Sequence, residues 1–283
     1  MGMIIALDAG HYNNTPGKRC MKSIDPNETR ERYLNARMAE HVEELLKDYD
    51  CKVMRCDDRS GETDPALVER AERANRAGAD AFISIHHNAG INGGRGGGIC
   101  VFAAGNASKT SLALQKAVYE ETVKRTGLKG NRATPLPIAN FTVIYKANMP
   151  AVLGEFGFMD STIDVPIILT GDFSRSCAHG IVDALVKTFN IKKKEIPMSK
   201  YYSDTKGRWS EKDIDRAREL GLMLGVSDTE FGPTGTVSRE QLAVVVVRLY
   251  DKLKEEVMNA PDLDKDALFE EFKRNLKLNI EIE

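Results

Sequence analysis

Three apolar runs of the chain lead into side chains that can bind a metal ion or transfer protons. MIIALDAG runs into His11, AFISI runs into His86 and His87, and AVLGEFGF carries Glu155. The carboxyl ends of strands in an open α/β sheet line one crevice, so residues far apart in sequence can converge there. We therefore predict a metal site, with metal-assisted hydrolysis as its chemistry.

Catalytic zinc commonly takes three protein ligands and keeps a fourth position open. His11 and His86 are one ligand short, and two acids near the start of the first predicted helix, Glu28 and Glu31, are candidates for the third. Their spacing alone leaves both open. His87 follows His86 directly, so the two-residue period of a strand turns it to the opposite face and predicts a structural or substrate-rim role.

The elements that must position these residues alternate between strand and helix. Helical spacing of apolar residues, such as Leu34, Met38 and Val42, indicates amphipathic helices. Alternation of this kind predicts an α/β fold, a mostly parallel twisted sheet with helices on both faces. The predicted strands are 3–10, 51–56, 81–87, 97–104, 141–146 and 151–156, and the predicted helices are 31–48, 65–76, 108–125 and 174–189.

The pattern changes after residue 190. Residues 191–200 are charged, contain a proline and show no periodicity, which is typical of a linker. We therefore predict a catalytic domain at 1–190 and a small all-α domain at 201–283. Its two predicted helices, 210–224 and 238–253, each open with a capping-box pattern, Ser210 with Asp213 and Ser238 with Gln241.

Composition narrows the classes of function. A net charge of −2 over 283 residues gives no reason to expect nucleic acid binding. No run approaches the ~18 apolar residues of a membrane span. The opening MGMIIALDAGH lacks the basic start and cleavage site of a secretory signal peptide, so we expect the chain to stay at first in the cytoplasm. Five cysteines without CxxC spacing predict reduced thiols.

Five segments taken in order carry a family resemblance. LDAGH, ERYLN, LVERAERAN, ADAFISIHHNA and MPAVLGEFGF together resemble the zinc-dependent N-acetylmuramoyl-L-alanine amidases of the type 3 family, over about residues 3–189. The resemblance implies that His11, Glu31 and His86 bind Zn²⁺ and that Glu155 is the catalytic acid and base. Glu31 is implied because the family's ligand stands four residues before an asparagine, here Asn35.

The substrate implied by this resemblance is peptidoglycan, cut at the amide between N-acetylmuramic acid and the L-alanine of the stem peptide. Two stretches depart from the family pattern. YNNTPGKRC follows the first histidine motif where a glycine-rich loop is usual, and Met159-Asp160-Ser161 stands where an asparagine commonly follows the catalytic glutamate. The first departure predicts a reshaped substrate loop.

Residues 201–253 resemble a single S-layer homology motif. The matching features are Asp204 ahead of the sole tryptophan Trp209, the ELGLM run, Phe231 with Pro233, and VSRE before the second helix. The resemblance implies that Arg239 binds an anionic secondary cell-wall polymer, with Trp209 and Asp204 as further wall-binding candidates. Because the motif normally occurs in threes, a plain helical hairpin for dimerisation is the alternative.

Together these features predict a peptidoglycan amidase with a wall-targeting module, acting on a Gram-positive type of cell wall. The expected lack of an export signal favours a phage endolysin, cytoplasmic until released, over a host autolysin of the same chemistry. A zinc peptidase that cuts the stem peptide is the competing enzyme. A wall-binding structural protein is the alternative without catalysis.

One hairpin of about fifty residues buries only a modest core, which predicts a homo-oligomer through the C-terminal module. The linker suggests a second product. KEIPM at 194–198 can be encoded with a purine-rich run just before an in-frame start at Met198. A fragment starting at Met198 would join full-length chains and raise their avidity for the wall. The alternative is a stiff, soluble linker that happens to contain a methionine.

Overall fold

The computed structural model describes residues 2–194 and 199–259, with side chains up to residue 255. The chain divides into two compact units between Lys194 and Glu195, inside the predicted linker. Residues 191–194 nevertheless pack as part of the first unit, because the Asp50 N–H donates to the Lys192 carbonyl and the Lys194 N–H donates to the Asp48 carbonyl. The proposed start at Met198 and the tail at 260–283 lie outside the described residues.

The first unit is built on one five-stranded sheet in the order β2-β1-β3-β5-β4. Neighbouring strands are parallel except for β4, which runs antiparallel to β5 at the edge. The predicted mostly parallel sheet is therefore confirmed. The strands are β1 Met3–Ala9, β2 Cys51–Arg55, β3 Ala81–Asn88, β4 Ile99–Phe102 and β5 Ala151–Phe158.

Helices cover both faces of the sheet, as predicted. One core lies between the sheet and α1, α3 and α6, and the other between the sheet and α2 with α4. Ile5 and Leu7 of β1 enter the first core and Ala6 the second, so a continuous apolar run suits this strand. The helices are α1 Glu31–Leu46, α2 Leu67–Arg76, α3 Lys109–Thr126, α4 Thr142–Tyr145, α5 Val165–Ile168 and α6 Gly171–Phe189.

The predicted strand at 141–146 is wrong, because this segment forms the single helical turn α4. Val143 and Ile144 are both buried in the same core although they are consecutive, which a helical turn permits and a strand with alternating faces does not. The β-branched residues had suggested a strand, but packing on α2 and β5 outweighs that preference.

The second unit is helical where it is described. A short 3₁₀ turn, Ser203–Thr205, precedes α7 Glu211–Glu219 and α8 Arg239–Asn259. The capping box at the start of α8 is confirmed, since the Gln241 N–H donates to Ser238 Oγ and the Ser238 N–H donates to Gln241 Oε1. The one at Ser210 is wrong, because its backbone lies at φ −90°, ψ 2° and not in the extended conformation that a side-chain cap requires.

All five cysteines are unpaired, in agreement with the predicted reduced thiols. Cys20, Cys56, Cys100 and Cys177 are buried and Cys51 is partly buried. Within the described residues, none of the helices combines the length and apolar character needed to cross a bilayer.

Candidate metal centre and active site

The structure brings His11, Glu31 and His86 together at the carboxyl ends of β1 and β3. One donor atom from each lies within 4.8 Å of the others. Glu31 Oε2 is 3.2 Å from His11 Nε2, and Glu31 Oε1 is 3.1 Å from His86 Nδ1. Glu28, the other candidate for the third position, instead pairs with Arg19 and Lys22.

Local backbone geometry positions His11 beside Glu31 and His86. The chain leaves β1 at Gly10, whose N–H donates to the Ile85 carbonyl of β3, and then turns through His11 in the left-handed region at φ 68°. A side chain at Gly10 would collide with the His86 imidazole. Glycine is therefore required by the close approach of the two histidine segments.

Glu31 is the charged centre of the group and is only 1% exposed. Burial alone would raise the pKa of its carboxyl, but the neighbouring imidazoles of His11 and His86 hold that pKa well below its usual range. Its Oε2 atom is buried and has no hydrogen bond of good geometry among the described residues. A buried carboxylate beside two imidazoles, with one oxygen unsatisfied, fits a divalent cation of the zinc type.

Glu155 stands next to this group without belonging to it. It lies on β5 directly opposite His86 of β3, and its Oε2 is buried without a hydrogen-bond partner in the described part of the chain. Burial raises the pKa of the carboxyl to about 7. A carboxyl with such a pKa can both accept and return a proton near neutral pH.

A buried layer behind His11, Glu31 and His86 fixes the Glu31 carboxylate. The His87 N–H donates to Glu31 Oε1 at 3.1 Å, and Asn35 Nδ2 lies 3.4 Å from the same oxygen. His87 Nδ1 is 2.8 Å from Asn35 Oδ1, and burial lowers the pKa of His87 to about 3, so its ring is neutral. His87 therefore has a structural place, and Asn35 contacts Glu31 without contributing one of the three clustered donor atoms.

Buried charges that the sequence did not predict hold the end of β1. Arg70 Nη1 donates to Asp8 Oδ1 at 2.6 Å and to the Ala9 carbonyl at 3.0 Å. Arg32 Nη1 donates to Asp57 Oδ2 at 2.8 Å and reaches the same carbonyl at 3.4 Å. Both arginines are buried. The available signal was an aspartate inside an apolar strand, which has to find a partner when buried.

The three wall-binding candidates of the second unit have different surroundings. Both carboxylate oxygens of Asp204 accept backbone N–H groups, from Phe231 at 2.9 Å and Gly232 at 2.8 Å. These hydrogen bonds lower the pKa of Asp204 and tie the 231–232 turn to the 3₁₀ segment. Trp209 is 89% exposed, and Arg239 is exposed at the first residue of α8.

Two family models match the chain. Residues 5–187 match the N-acetylmuramoyl-L-alanine amidase model called Amidase_3, and residues 201–243 match the S-layer homology domain. The first match spans the sheet, the His11, Glu31 and His86 group, and Glu155. The second contains Asp204, Trp209 and Arg239.

Individual relatives agree with the first match. The chain is 28% identical over 195 residues to the endolysin of Bacillus phage SPP1, covering 69% of each chain. It is 30% identical over 191 residues to a sporulation-specific N-acetylmuramoyl-L-alanine amidase of Bacillus subtilis, covering 67% of this chain and 69% of that protein. The crystal structure of an N-acetylmuramoyl-L-alanine amidase from Clostridium difficile 630 superposes with a TM-score of 0.60 at 27% identity, covering 67% of this chain and 97% of that one. The chain therefore belongs to the N-acetylmuramoyl-L-alanine amidase family and carries a C-terminal S-layer homology domain.

Proposed function

We propose that this peptidoglycan amidase is zinc-dependent, with His11, Glu31 and His86 as the zinc ligands and Glu155 as the acid and base. The observation that carries the proposal is the convergence of three donor atoms within 4.8 Å beside a carboxyl that is in register with one of them. Two imidazole nitrogens and one carboxylate oxygen are a ligand set typical of catalytic zinc. When bound, zinc supplies Lewis acidity toward a carbonyl oxygen and toward water.

The protein's own residues then have separate tasks. Water adds to the lactyl carbonyl carbon of N-acetylmuramic acid, and Glu155 takes the proton that the water gives up. Glu155 passes this proton to the L-alanine nitrogen as the C–N bond breaks, so the products are a free lactyl carboxylate and a free amine. The pKa of about 7 suits both transfers, because neither protonation state of the carboxyl is strongly favoured at neutral pH.

Mass spectrometry of digested cell walls tests the bond that is cut. The amidase should release stem peptides with free L-alanine amino ends and leave the glycan strands intact. A stem-peptide peptidase would instead leave L-alanine attached to N-acetylmuramic acid. A structural wall-binding protein would release nothing, and either result would contradict the proposal.

The biological role we propose is that of a phage endolysin, kept in the cytoplasm until the membrane is breached. The similarity to the SPP1 endolysin supports this role, while the similarity to a bacterial sporulation amidase keeps a host autolysin as the alternative. Expression in the cytoplasm of a Gram-positive host tests it. Lysis should begin only after a membrane-permeabilising agent is added, whereas lysis without that agent would favour a secreted autolysin.

For the S-layer homology domain we propose binding to an anionic secondary cell-wall polymer through Arg239 and Trp209, with Asp204 shaping the turn at 231–232. Both proposed contact residues are exposed. Sedimentation with purified walls tests this before and after acid extraction of the polymer. Binding should fall after extraction and fall similarly in Arg239→Gln, while persistent binding to extracted walls would contradict the assignment.

We also propose that the second unit self-associates, joined by a shorter product that starts at Met198. Leu242, Val247 and Leu249 of α8 are 51%, 57% and 41% exposed, which leaves apolar surface for another copy to cover. Analytical ultracentrifugation should show oligomers that Leu242→Glu weakens. Expression of a Met198→Leu gene with silent changes upstream should abolish the short product, and its unchanged abundance would exclude internal initiation.

A further inference from the structure

Glu155 separates two sides of the active site. The candidate metal ligands come from the β1, α1 and β3 side, whereas Cys100 of β4 is in register with Glu155 on the other side. If Glu155 protonates the leaving nitrogen, as proposed above, the carbonyl of the scissile amide lies toward the metal centre and its nitrogen toward Glu155. The stem peptide, which continues from that nitrogen, then extends on the β4 side.

Arg132 places a cation on that side. Its guanidinium lies 5.4 Å from the ring centroid of Phe158, a β5 residue that is only 2% exposed, and its own side chain is exposed. Burial raises the pKa of Glu155 to about 7 and that of Cys100 to about 11, and the positive charge of Arg132 opposes both rises. Within residues 2–194, no carboxylate forms an ion pair with this guanidinium.

Backbone contacts hold Arg132 in place. Its neighbour Asn131 accepts the Gly97 N–H at 3.1 Å through Oδ1 and donates its own N–H to the Gly97 carbonyl at 3.4 Å. A side chain at Gly98 would collide with the backbone of Lys129 and Gly130. The loops around residues 97–98 and 129–131 therefore pack backbone against backbone. Because this packing and the stacking on Phe158 already restrict Arg132, less conformational entropy is lost when its guanidinium binds a ligand.

We propose that Arg132 binds the free α-carboxylate of the second stem-peptide residue, D-glutamate linked through its side-chain carboxyl. This carboxylate lies about two residues, roughly 7 Å, beyond the scissile amide. Arg132 lies over Phe158, three residues after Glu155 on β5, and so is available on the side toward which the stem peptide extends. Guanidinium and carboxylate match in planar, charge-assisted geometry. Amidation of this carboxylate removes the charge, so Arg132 makes the enzyme selective for stem peptides that are not amidated there.

Binding measurements test this selectivity without requiring turnover. The protein is the full-length chain carrying Glu155→Gln, and the probes are N-acetylmuramoyl-L-alanyl-D-isoglutamate and its isoglutamine counterpart, which differ only in carboxylate against amide. Calorimetry should show about tenfold tighter binding of the carboxylate form. Adding Arg132→Gln should remove that difference by weakening the carboxylate form alone, while Arg132→Lys should keep part of it.

The matched control is Lys52→Gln, which removes an exposed cation from the edge strand β2 and should change neither affinity. Equal affinity of the starting protein for both probes, or equal weakening of both by Arg132→Gln, would overturn the assignment. Circular dichroism of each variant checks that it is folded. Wall digestion by the wild type is scored separately, so a failure of the proposed amidase reaction can be distinguished from a failure of the Arg132 assignment.

Discussion

Glu155 faces His86 across the parallel ladder between β5 and β3. Paired strands lie about 5 Å apart, so backbone hydrogen bonding sets the distance between a proposed metal ligand and the proposed proton carrier. His11 and Glu31 reach the same place from a tight turn and a helix start. Because Glu155 is outside the group of donor atoms, metal binding and proton transfer should be separable by mutation.

His11→Ala, Glu31→Ala and His86→Ala should each lose zinc and activity together, because each removes one of three donors. We expect zinc affinity to fall by more than ~100-fold, beyond the effect of losing an outer hydrogen-bond partner. Glu155→Gln should keep its zinc and lose at least ~100-fold in rate. Zinc analysis after dialysis, alongside wall-lysis rates, checks both. Zinc loss in Glu155→Gln, or full retention in Glu31→Ala, would contradict the assignment.

The pKa of Glu155 makes a prediction about stability in the metal-free protein. Folding raises this pKa from 4.5 to about 7, so the folded state binds the proton more tightly and loses stability as the pH rises between those values. Glu155→Gln removes the ionisable group. It should raise the free energy of unfolding by up to about 3 kcal/mol at pH 8 and change it little at pH 4. Urea titrations with a chelator at both pH values measure this, and an equal effect at both would refute the account.

Arg70→Met should destabilise the protein and weaken metal binding. The change leaves Asp8 buried without its 2.6 Å partner and removes a donor from the Ala9 carbonyl, two residues before His11. Breaking a buried ion pair on one side costs about 3–5 kcal/mol. Arg76→Met, which removes a largely exposed partner of Glu69 on the same helix, should cost less than about 1 kcal/mol. Similar unfolding curves for the two variants would show that Asp8 does not need Arg70.

A chain of residues 1–194 should separate cutting from targeting. It ends where the first compact unit ends and keeps every residue of the proposed active site. We expect it to fold, as judged by circular dichroism, and to cleave soluble muropeptides at the rate of the full chain. Its sedimentation with whole walls should be clearly weaker. Undiminished sedimentation would assign wall binding to the catalytic unit.

Much of the first unit could be predicted because its signals are local. Strand β1 can be recognised from its apolar run, and helix α1 from the one-sided spacing of Leu34, Met38 and Val42. The structure places these residues as predicted. The turn α4 could not be predicted in this way. Its β-branched residues favour a strand, and packing in the folded protein makes the segment helical instead. Helix α7 ends at Glu219, shortly before Gly221 at φ 70°, where the predicted helix continued to residue 224.

In the candidate site too, some residues have a local sequence signal and others have none. Histidines at strand ends could be found from the sequence because the ends of parallel strands meet at one edge. Spacing alone left Glu28 and Glu31 open, and only the folded loop shows Glu28 turned toward Arg19 and Lys22. Arg132 gave no signal, because its position depends on a contact between two glycine-rich loops that are about thirty residues apart.

The five unpaired thiols are expected to be chemically unreactive in the native protein. Burial raises the pKa of Cys20 and Cys56 to about 12, and it also raises the pKa of Cys51, Cys100 and Cys177. Protonated thiols are poor nucleophiles, so alkylating reagents and mild oxidants should react slowly with the native protein. Because none of the five cysteines is in a disulfide, the fold does not depend on such a bond and can persist in both a reducing and an oxidising compartment.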